Sequence, residues 1–261
     1  MSTAPPAPTR LVVTGASGRM GEELLDVAGD REDVLVVAAV SRTPGSVTTD
    51  ADIETDLDAT LAAEEAVDCV VDFTAPESTA EYAQTAADHD IPFLTGTTGL
   101  EGHEADPLGA LDAAAETVPV LHASNFSRGV AALRGAIREA AASLQDYDVE
   151  VTETHHNGKR DAPSGTALTL VEDIEAERSD LTERQHGREG AAPRQPNEIG
   201  IHARRAGDVT GEHEVLFAGN RETLSLAHSA GDRGVFAAGA LDAATELAGR
   251  DAGRYQFDDL L

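Results

Sequence analysis

Short apolar runs alternate with helical or glycine-rich segments through the first half of this sequence, and that alternation constrains the fold more than any other feature. The runs predicted as buried strands are Leu11–Thr14, Val34–Val40, Val67–Phe73, Ile91–Thr95 and Val118–His122. Strands of about five residues that alternate with helices are typical of a parallel sheet with crossover helices. We therefore predict an α/β fold that begins with a doubly wound parallel sheet.

The apolar period changes in the second half. After an amphipathic helix that includes Val130 and Leu144, four runs alternate in polarity, as strands with one solvent-facing side do. These runs are Tyr147–Thr152, Glu198–Ala203, Glu212–Phe217 and Glu222–Ala227. They predict an α+β domain with an open mixed, mainly antiparallel sheet. We expect a surface loop between Ser179 and Asn197, which is rich in proline and glycine.

The charge excludes several classes of protein. The chain has 19 basic and 48 acidic residues, a formal net charge of −29, which makes nucleic acid a poor partner. We find no apolar run of about 18 residues and expect no membrane span. The segment Met1–Arg10 lacks an export signal, so we expect a cytoplasmic protein. The single cysteine, Cys69, excludes an intrachain disulfide and a metal site made of several thiolates.

The kind of charge is also unusual. Lys159 is the only lysine among the 19 basic residues, and aromatic residues make up 3% of the chain. Excess acid with little lysine indicates adaptation to concentrated salt, where screening over about 3 Å at 1 M makes self-repulsion tolerable. An acidic surface that keeps the protein soluble is the alternative. In either case, because the chain has only one lysine, we expect the ammonium group of Lys159 to be needed at that position.

A glycine-rich loop joins the first predicted strand to a helix. Such a turn lets a dinucleotide pyrophosphate approach the backbone and a helix N-terminus, so the sheet is predicted to be Rossmann-like. Ser17 occupies the middle glycine position of the usual pattern, and a plain tight turn remains the alternative. The candidate cofactor-binding residues here are Gly15, Ala16, Ser17, Gly18, Arg19 and Met20.

Polar and small residues also follow three other predicted strands. The second strand ends in Ser41 and Arg42, which suit the 2′-phosphate of NADPH better than a carboxylate would, with NADH also usable. A solvent-facing arginine is the alternative. Ligands bind beyond the carboxyl ends of strands in such sheets, although each of these segments could also be an ordinary turn. Further candidates are therefore Gly96, Thr97, Thr98, Ala123, Ser124, Asn125 and Phe126.

These patterns divide the chain. We predict a dinucleotide-binding domain of residues 1–126, which the C-terminal helical stretch of about residues 234–261 completes. Residues 127–233 would form the substrate-binding and oligomerisation domain.

The segment Glu153–Ala167 carries the most specific pattern. His155, His156 and Lys159 place two imidazoles and an ammonium together, and Gly165 and Thr166 open a helix whose N–H groups could bind a carboxylate. This predicts an anion pocket that supplies protons. A metal site would need further ligands, and a short-chain dehydrogenase would need tyrosine at position 155. A basic loop that forms surface ion pairs is the remaining alternative.

The same segment resembles the signature of the 4-hydroxy-tetrahydrodipicolinate reductase (dihydrodipicolinate reductase) family. That signature, E-x-H-H-x-x-K-x-D-x-P-S-G-T-A, is met in full by Glu153–Ala167. Shorter similarities extend over nearly the whole chain. The sequence departs from the family pattern at Ser17, Ser41 and Arg128.

The resemblance implies NAD(P)H-dependent reduction of 4-hydroxy-tetrahydrodipicolinate to tetrahydrodipicolinate in the diaminopimelate route to lysine. It implies that Lys159 donates a proton, that His155 is its acid/base partner and that His156 contacts the substrate. Gly165 and Thr166 would bind a carboxylate of this cyclic dicarboxylate. It also implies closure of the two domains and a homotetramer formed through the sheet of the substrate domain.

The same sequence patterns are compatible with two other functions. Another two-domain nicotinamide enzyme, such as homoserine or aspartate-semialdehyde dehydrogenase, would share the first domain. The semialdehyde enzyme needs a nucleophilic cysteine, whereas Cys69 lies in a predicted buried strand. A regulator that binds NADPH without turnover would have little use for His155, His156 and Lys159.

Overall fold

The computed structural model describes residues 7–43, 47, 49 and 51–260. The chain divides into two compact units. One runs to Phe126 and includes the chain from Arg233 onward, and the other is Ser127–Asp232. None of the helices in the described ranges is both long enough and apolar enough to span a bilayer.

The first unit contains a seven-stranded sheet whose strands are all parallel. Its strands are β1 (Thr9–Thr14), β2 (Val34–Val40), β3 (Asp52–Glu54), β4 (Cys69–Asp72), β5 (Phe93–Thr95), β6 (Pro119–His122) and, after the second unit, β12 (Gly253–Tyr255). Its helices are α1 (Arg19–Gly29), α2 (Leu57–Ala63), α3 (Pro76–Asp88), α4 (Pro107–Ala114), α7 (Gly234–Leu247) and a final 3₁₀ turn (Phe257–Leu260). The order β12-β6-β5-β4-β1-β2-β3 confirms the predicted Rossmann-like, doubly wound parallel sheet.

Burial explains which of these elements the sequence could reveal. All four residues of β4 are buried, as are Leu11 to Thr14 of β1, because a parallel sheet covered on both faces needs near-continuous apolar strands. The short edge strand β3 has no buried residue. An apolar run therefore marks the central strands and is missing from β3.

The second unit is a five-stranded mixed sheet with two helices. Its elements are α5 (Arg128–Ser143), β7 (Asp148–His155), α6 (Gly165–Glu177), β8 (Glu183–His186), β9 (Glu198–Arg205), β10 (Gly211–Gly219) and β11 (Glu222–Ala230). The order is β11-β10-β7-β9-β8, with β10 antiparallel to β7 and β11, and β9 parallel to β7 and β8. This confirms a mixed sheet, in which two ladders are antiparallel and two are parallel.

One prediction for this unit is wrong. The segment between Ser179 and Asn197 was expected to be a surface loop, but it contains β8, which pairs with β9. The four residues of β8 are Glu-Arg-Gln-His, and none of them is buried. Main-chain pairing rather than an apolar face therefore holds this edge strand, and polarity alternation gives no signal for it.

Candidate functional site

The predicted cofactor residues lie at one edge of the parallel sheet. Gly15 follows β1, Ser41 follows β2, Gly96 follows β5 and Ala123 follows β6. Because the carboxyl ends of parallel strands point the same way, the turns after these strands share one edge of the first unit. The turn after β4, at Phe73 to Ala75, belongs to the same edge.

Two glycines in the first turn are required by close packing. Gly15 has φ of +76°, and a Cβ there would lie 2.3 Å from the carbonyl oxygen of Phe73. A Cβ at Gly21 would lie 2.2 Å from the carbonyl oxygen of Gly15, so only glycine lets α1 begin this close to β1. The backbone of this turn is therefore packed directly against Phe73 and against the start of α1.

Hydroxyl groups join the turns after β1 and β2. The Ser41 hydroxyl donates to Ser17 Oγ over 2.8 Å, and the Thr43 hydroxyl donates to the same oxygen over 3.1 Å. Arg42 lies between them in sequence and is exposed. Ser17 therefore replaces the usual glycine with a residue that links the two turns.

A cavity of about 370 Å³ opens at this edge. Of the predicted residues it gathers Gly15, Ser17, Gly18, Ser41 and Arg42. It is not lined by the predicted Ala16, Arg19, Met20, Gly96, Thr97, Thr98, Ala123, Ser124, Asn125 or Phe126.

Seven lining residues were missed by the sequence analysis: Val40, Thr43, Phe73, Thr74, Ala75, Ser78 and Tyr82. Those that follow β4 could have been found, because they also stand after a strand of the parallel sheet. Tyr82 lies on α3, and no motif marks it.

The predicted residues after β5 and β6 meet around Phe73. A Cβ at Gly96 would lie 2.1 Å from the Phe73 ring, so the turn after β5 needs glycine to pass it. The rings of Phe73 and Phe126 are 5.8 Å apart and tilted. Thr97 is buried and its Oγ1 accepts the Thr74 N–H over 3.0 Å. The turns after β4, β5 and β6 therefore form one packed group.

In the second unit, a buried ion pair orients His155. Glu153 on β7 accepts two hydrogen bonds from Arg205, at 2.7 and 2.9 Å, and its Oε2 lies 2.7 Å from His155 Nδ1. Burial alone would raise the pKa of Glu153, but the bonds and charges of Arg205 and His155 outweigh it and hold that pKa below its usual value. An ionised carboxylate only accepts, so Nδ1 carries the proton and Nε2 is the nitrogen left for chemistry.

Lys159 stands in a turn directly after this strand. Its Nζ lies 2.9 Å from Asp161 Oδ2, and 22% of its side chain is exposed, so the ammonium is held and largely shielded. Burial would raise the pKa of Asp161, but the bond from Lys159 lowers it below the usual value. His156 begins the same turn, where its carbonyl oxygen accepts the Lys159 N–H and its ring is half-buried.

The next helix starts beside Glu153. The Ser164 N–H donates to Glu153 Oε1 over 3.1 Å, and the Ser164 hydroxyl caps α6 by accepting the Ala167 N–H. Gly165 and Thr166 are the first two residues of α6, so their N–H groups point out of the N-terminal end of the helix. The helix start at which the sequence predicts a carboxylate site is thus hydrogen-bonded to Glu153, the same residue that bonds His155.

His213 on β10 was missed by the sequence analysis. Its ring lies edge-on to His155 with centroids 5.2 Å apart, and its Nε2 is 2.9 Å from the Ser164 hydroxyl. Burial, with the nearby charges of His155, His228 and Lys159, lowers the pKa of His213 to about 4 despite the opposing charge of Glu153. The ring is therefore neutral near pH 7 and packs between the catalytic candidate and the α6 cap.

This burial predicts a pH dependence of folding. The unfolded state binds a proton at His213 below about pH 6.5 that the folded state binds only near pH 4, so stability is lost as pH falls through this window. The loss is expected to reach about 3 kcal/mol. Urea unfolding between pH 4 and 7 measures it, with His213→Gln as the comparison. The expectation fails if both proteins show the same slope.

No group of three or more His, Cys, Asp or Glu side chains in the described residues is arranged to hold a metal ion.

Comparison with known proteins identifies one family along nearly the whole chain. Residues 9–126 match the family model described as dihydrodipicolinate reductase, N-terminus, and residues 129–261 match the model of its C-terminus. The 4-hydroxy-tetrahydrodipicolinate reductase of Haloarcula marismortui is 47% identical over 97% of this chain and 99% of its own. The enzyme of the same name from Natronomonas pharaonis is 48% identical over 95% of this chain and 98% of its own.

A solved structure has the same fold. The dipicolinate-bound dihydrodipicolinate reductase of Paenisporosarcina sp. TG-14 superposes with a TM-score of 0.81, covers 97% of this chain and 100% of its own, and is 23% identical. Both halves of the chain thus match the two family models, and full-length relatives approach half identity. The chain belongs to the dihydrodipicolinate reductase family.

Proposed function

We propose that this chain reduces 4-hydroxy-tetrahydrodipicolinate to tetrahydrodipicolinate in lysine biosynthesis, with NADPH as the preferred cofactor. The observation that carries the proposal is the set of groups around Glu153 in the second unit. An oriented imidazole (His155), a shielded ammonium (Lys159) and the capped N-terminus of α6 occur within one short stretch of chain. A cyclic dicarboxylate needs these groups, since it must be held by its carboxylates and given protons.

The substrate would be bound by donors in this unit. The N–H groups of Gly165 and Thr166 at the start of α6, together with the Thr166 hydroxyl, suit a carboxylate. His156, in the turn after β7, is assigned a further contact with the substrate. Lys159, the only lysine of a chain whose net charge is −29, lies in this stretch, where the two carboxylates of the substrate would need positive charge.

The proton steps are assigned to Lys159 and His155. Loss of the 4-hydroxyl as water places one proton on the leaving hydroxyl and removes one from the neighbouring ring carbon. Reduction of the resulting double bond then adds a hydride at C4 and returns a proton to the ring, so one proton is consumed overall. A nicotinamide cofactor, when bound, would supply the hydride. Lys159 donates a proton from its ammonium, and His155, whose Nδ1 is fixed on Glu153, exchanges one at Nε2. General acid help of this kind is worth about 10² to 10⁴ in rate.

The edge of the first unit fits a dinucleotide. Gly15 makes a close turn against Phe73 beside the cavity, and the α1 N-terminus follows it. Ser41 and Arg42 stand where NAD-selective sites carry a carboxylate. A guanidinium beside a cluster of hydroxyls suits a 2′-phosphate, which supports NADPH with NADH as a weaker alternative. The site assignment keeps Gly15 to Met20, Gly96 to Thr98 and Ala123 to Phe126 as cofactor residues.

A turnover assay tests the proposal. Substrate is generated enzymatically in the presence of the protein, and loss of NADPH or NADH absorbance is followed at high salt. We expect substrate-dependent oxidation that is faster with NADPH. A protein that binds NADPH without oxidising it would instead be a cofactor-sensing regulator, and oxidation with homoserine or aspartate semialdehyde substrates would indicate a related dehydrogenase.

We assign the active protein to the cytoplasm as a homotetramer formed through the sheet of the second unit. One face of β10 and β11 carries Glu214, Thr223 and Ser225, which are exposed. Light scattering after gel filtration at high salt measures the mass, and a monomer would contradict the assignment.

Salt adaptation predicts a further dependence. With a net charge of −29, self-repulsion extends over about 10 Å at 0.1 M salt and about 3 Å at 1 M. Melting temperature and activity are therefore expected to fall steeply as KCl is lowered from molar to dilute concentrations. Sucrose at matched osmolality is the control, and it should not restore them. Full stability and activity in dilute buffer would contradict salt adaptation.

A further inference from the structure

Five threonine hydroxyls converge on one buried carboxylate in the first unit. Asp72 ends β4 and is fully buried. The hydroxyls of Thr14 and Thr74 donate to its Oδ1 over 2.7 and 2.6 Å. Those of Thr79, Thr95 and Thr97 donate to its Oδ2 over 2.7, 2.8 and 3.0 Å. All of these donors are neutral.

No guanidinium, ammonium or imidazole of the described chain lies within ion-pair distance of Asp72. An ionised carboxylate away from water is costly unless hydrogen bonds replace its hydration, and here the threonines fill that role. Each threonine has a single hydroxyl proton, and this arrangement commits all five of those protons to Asp72. The carboxylate therefore sets the direction of every hydroxyl around it.

Four of these threonines stand in or directly before the turns of the cofactor edge. Thr14 precedes Gly15, and Thr95 precedes Gly96. Thr74 and Thr97 lie within the turns after β4 and β5, and the Thr74 N–H donates to Thr97 Oγ1 over 3.0 Å. Asp72 thus connects three turns that belong to separate strands.

These turns have no room to move independently. A Cβ at Gly15 would meet the Phe73 carbonyl oxygen, and one at Gly96 would meet the Phe73 ring. A small displacement at Asp72 would therefore change the shape of the cavity that Gly15, Phe73 and Thr74 line.

We propose that Asp72 is a positioning residue for the dinucleotide, which fixes these turns and makes Thr74 a hydrogen-bond acceptor toward the ligand. Thr74 is half-buried and lines the cavity, and its one hydroxyl proton points to Asp72. Its remaining capacity is two lone pairs, which repel phosphate oxygens and accept from a donor. Thr74 is therefore matched to a ribose hydroxyl or a carboxamide NH₂ of the cofactor. This inference rests on the proposed cofactor site.

The first test is Asp72→Asn, which keeps the shape and replaces acceptor lone pairs by an NH₂ donor. Fluorescence titration is expected to show NADPH affinity lower by about tenfold or more. Because the effect is on binding, kcat at saturating NADPH should change far less than KM for NADPH. Asp68→Asn makes the same change in charge beside the other end of β4, where Asp68 accepts the Arg10 N–H, and should bind NADPH as the wild type does.

A second pair of variants keeps the test decisive if Asp72→Asn unfolds. Thr74→Val and Thr79→Val each remove one hydroxyl from Asp72, but Thr79 is fully buried on α3 and does not line the cavity. We expect similar losses in melting temperature and a clearly larger loss of NADPH affinity in Thr74→Val.

Two results overturn the inference: wild-type NADPH affinity in folded Asp72→Asn, or equal affinities in the two threonine variants. Failure of the wild type itself to bind NADPH would instead overturn the proposed cofactor site.

Discussion

Replacing Lys159 by alanine is expected to lower kcat by about 100-fold or more. Lys159 is the only lysine of the chain, and its ammonium is held 2.9 Å from Asp161 beside the strand that carries His155. Without it, the departing hydroxyl and the reduced ring lose their assigned proton donor. Steady-state kinetics with enzymatically generated substrate measure the loss, and NADPH titration should show unchanged cofactor binding.

Arg160→Ala is the matched control for this prediction. Arg160 is the next residue, also cationic and exposed. Its removal lowers the local positive charge by the same amount and leaves the Lys159 ammonium in place, so kcat should change by less than about threefold. If Lys159→Ala turns over like the wild type, or if both variants lose the same activity, Lys159 is not the proton donor.

Glu153→Gln is expected to lower kcat by about 10- to 100-fold, the size of effect seen when a residue that orients a catalytic group is lost. The amide NH₂ would face His155 Nδ1, which must then accept, so the proton moves to Nε2 and the neutral ring is held in the wrong tautomer. Arg205 also loses the anion of its buried pair, so stability should fall by about 2 kcal/mol. Kinetics and urea unfolding measure the two effects separately.

Glu150→Gln separates orientation of the imidazole from loss of a charge pair. Glu150 lies on the same strand, and its side chain bonds His202 over 2.6 Å and contacts Arg188 and Arg194. Three residues along a strand from Glu153, it faces the other side of the sheet. The variant should lose stability and keep kcat within about twofold, since it leaves His155 untouched. Equal loss of kcat in both variants would show that Glu153 acts only through stability.

The fold was predictable where strands are buried on both faces. All four residues of β4 are buried because helices cover the parallel sheet on both sides. The strand β2 has the bounds that its apolar run predicts, although Leu35 in it is exposed. Edge strands do not show such apolar runs. Neither β3 nor β8 buries a residue, so their pairing depends on main-chain groups that every sequence supplies.

The candidate site was predictable where its residues are contiguous in the sequence. Glu153 to Thr166 stand in one motif, so their chemistry could be inferred together. Arg205 and His213 lie about 50 residues further along the chain and reach Glu153 and Ser164 only through sheet pairing. The Asp72 cluster was missed for the same reason, because threonines on separate strands form no pattern along the chain.

The most direct test of the central claim is deuterium transfer. It uses NADPH in which both hydrogens on C4 of the nicotinamide are replaced by deuterium. The labelled cofactor is incubated with the protein and freshly generated 4-hydroxy-tetrahydrodipicolinate at high salt. The molecular mass of the product is then measured by mass spectrometry. We expect tetrahydrodipicolinate that carries one deuterium for each NADPH oxidised. Unlabelled product, or no NADPH oxidation when fresh substrate is present, would contradict the proposed reductase activity.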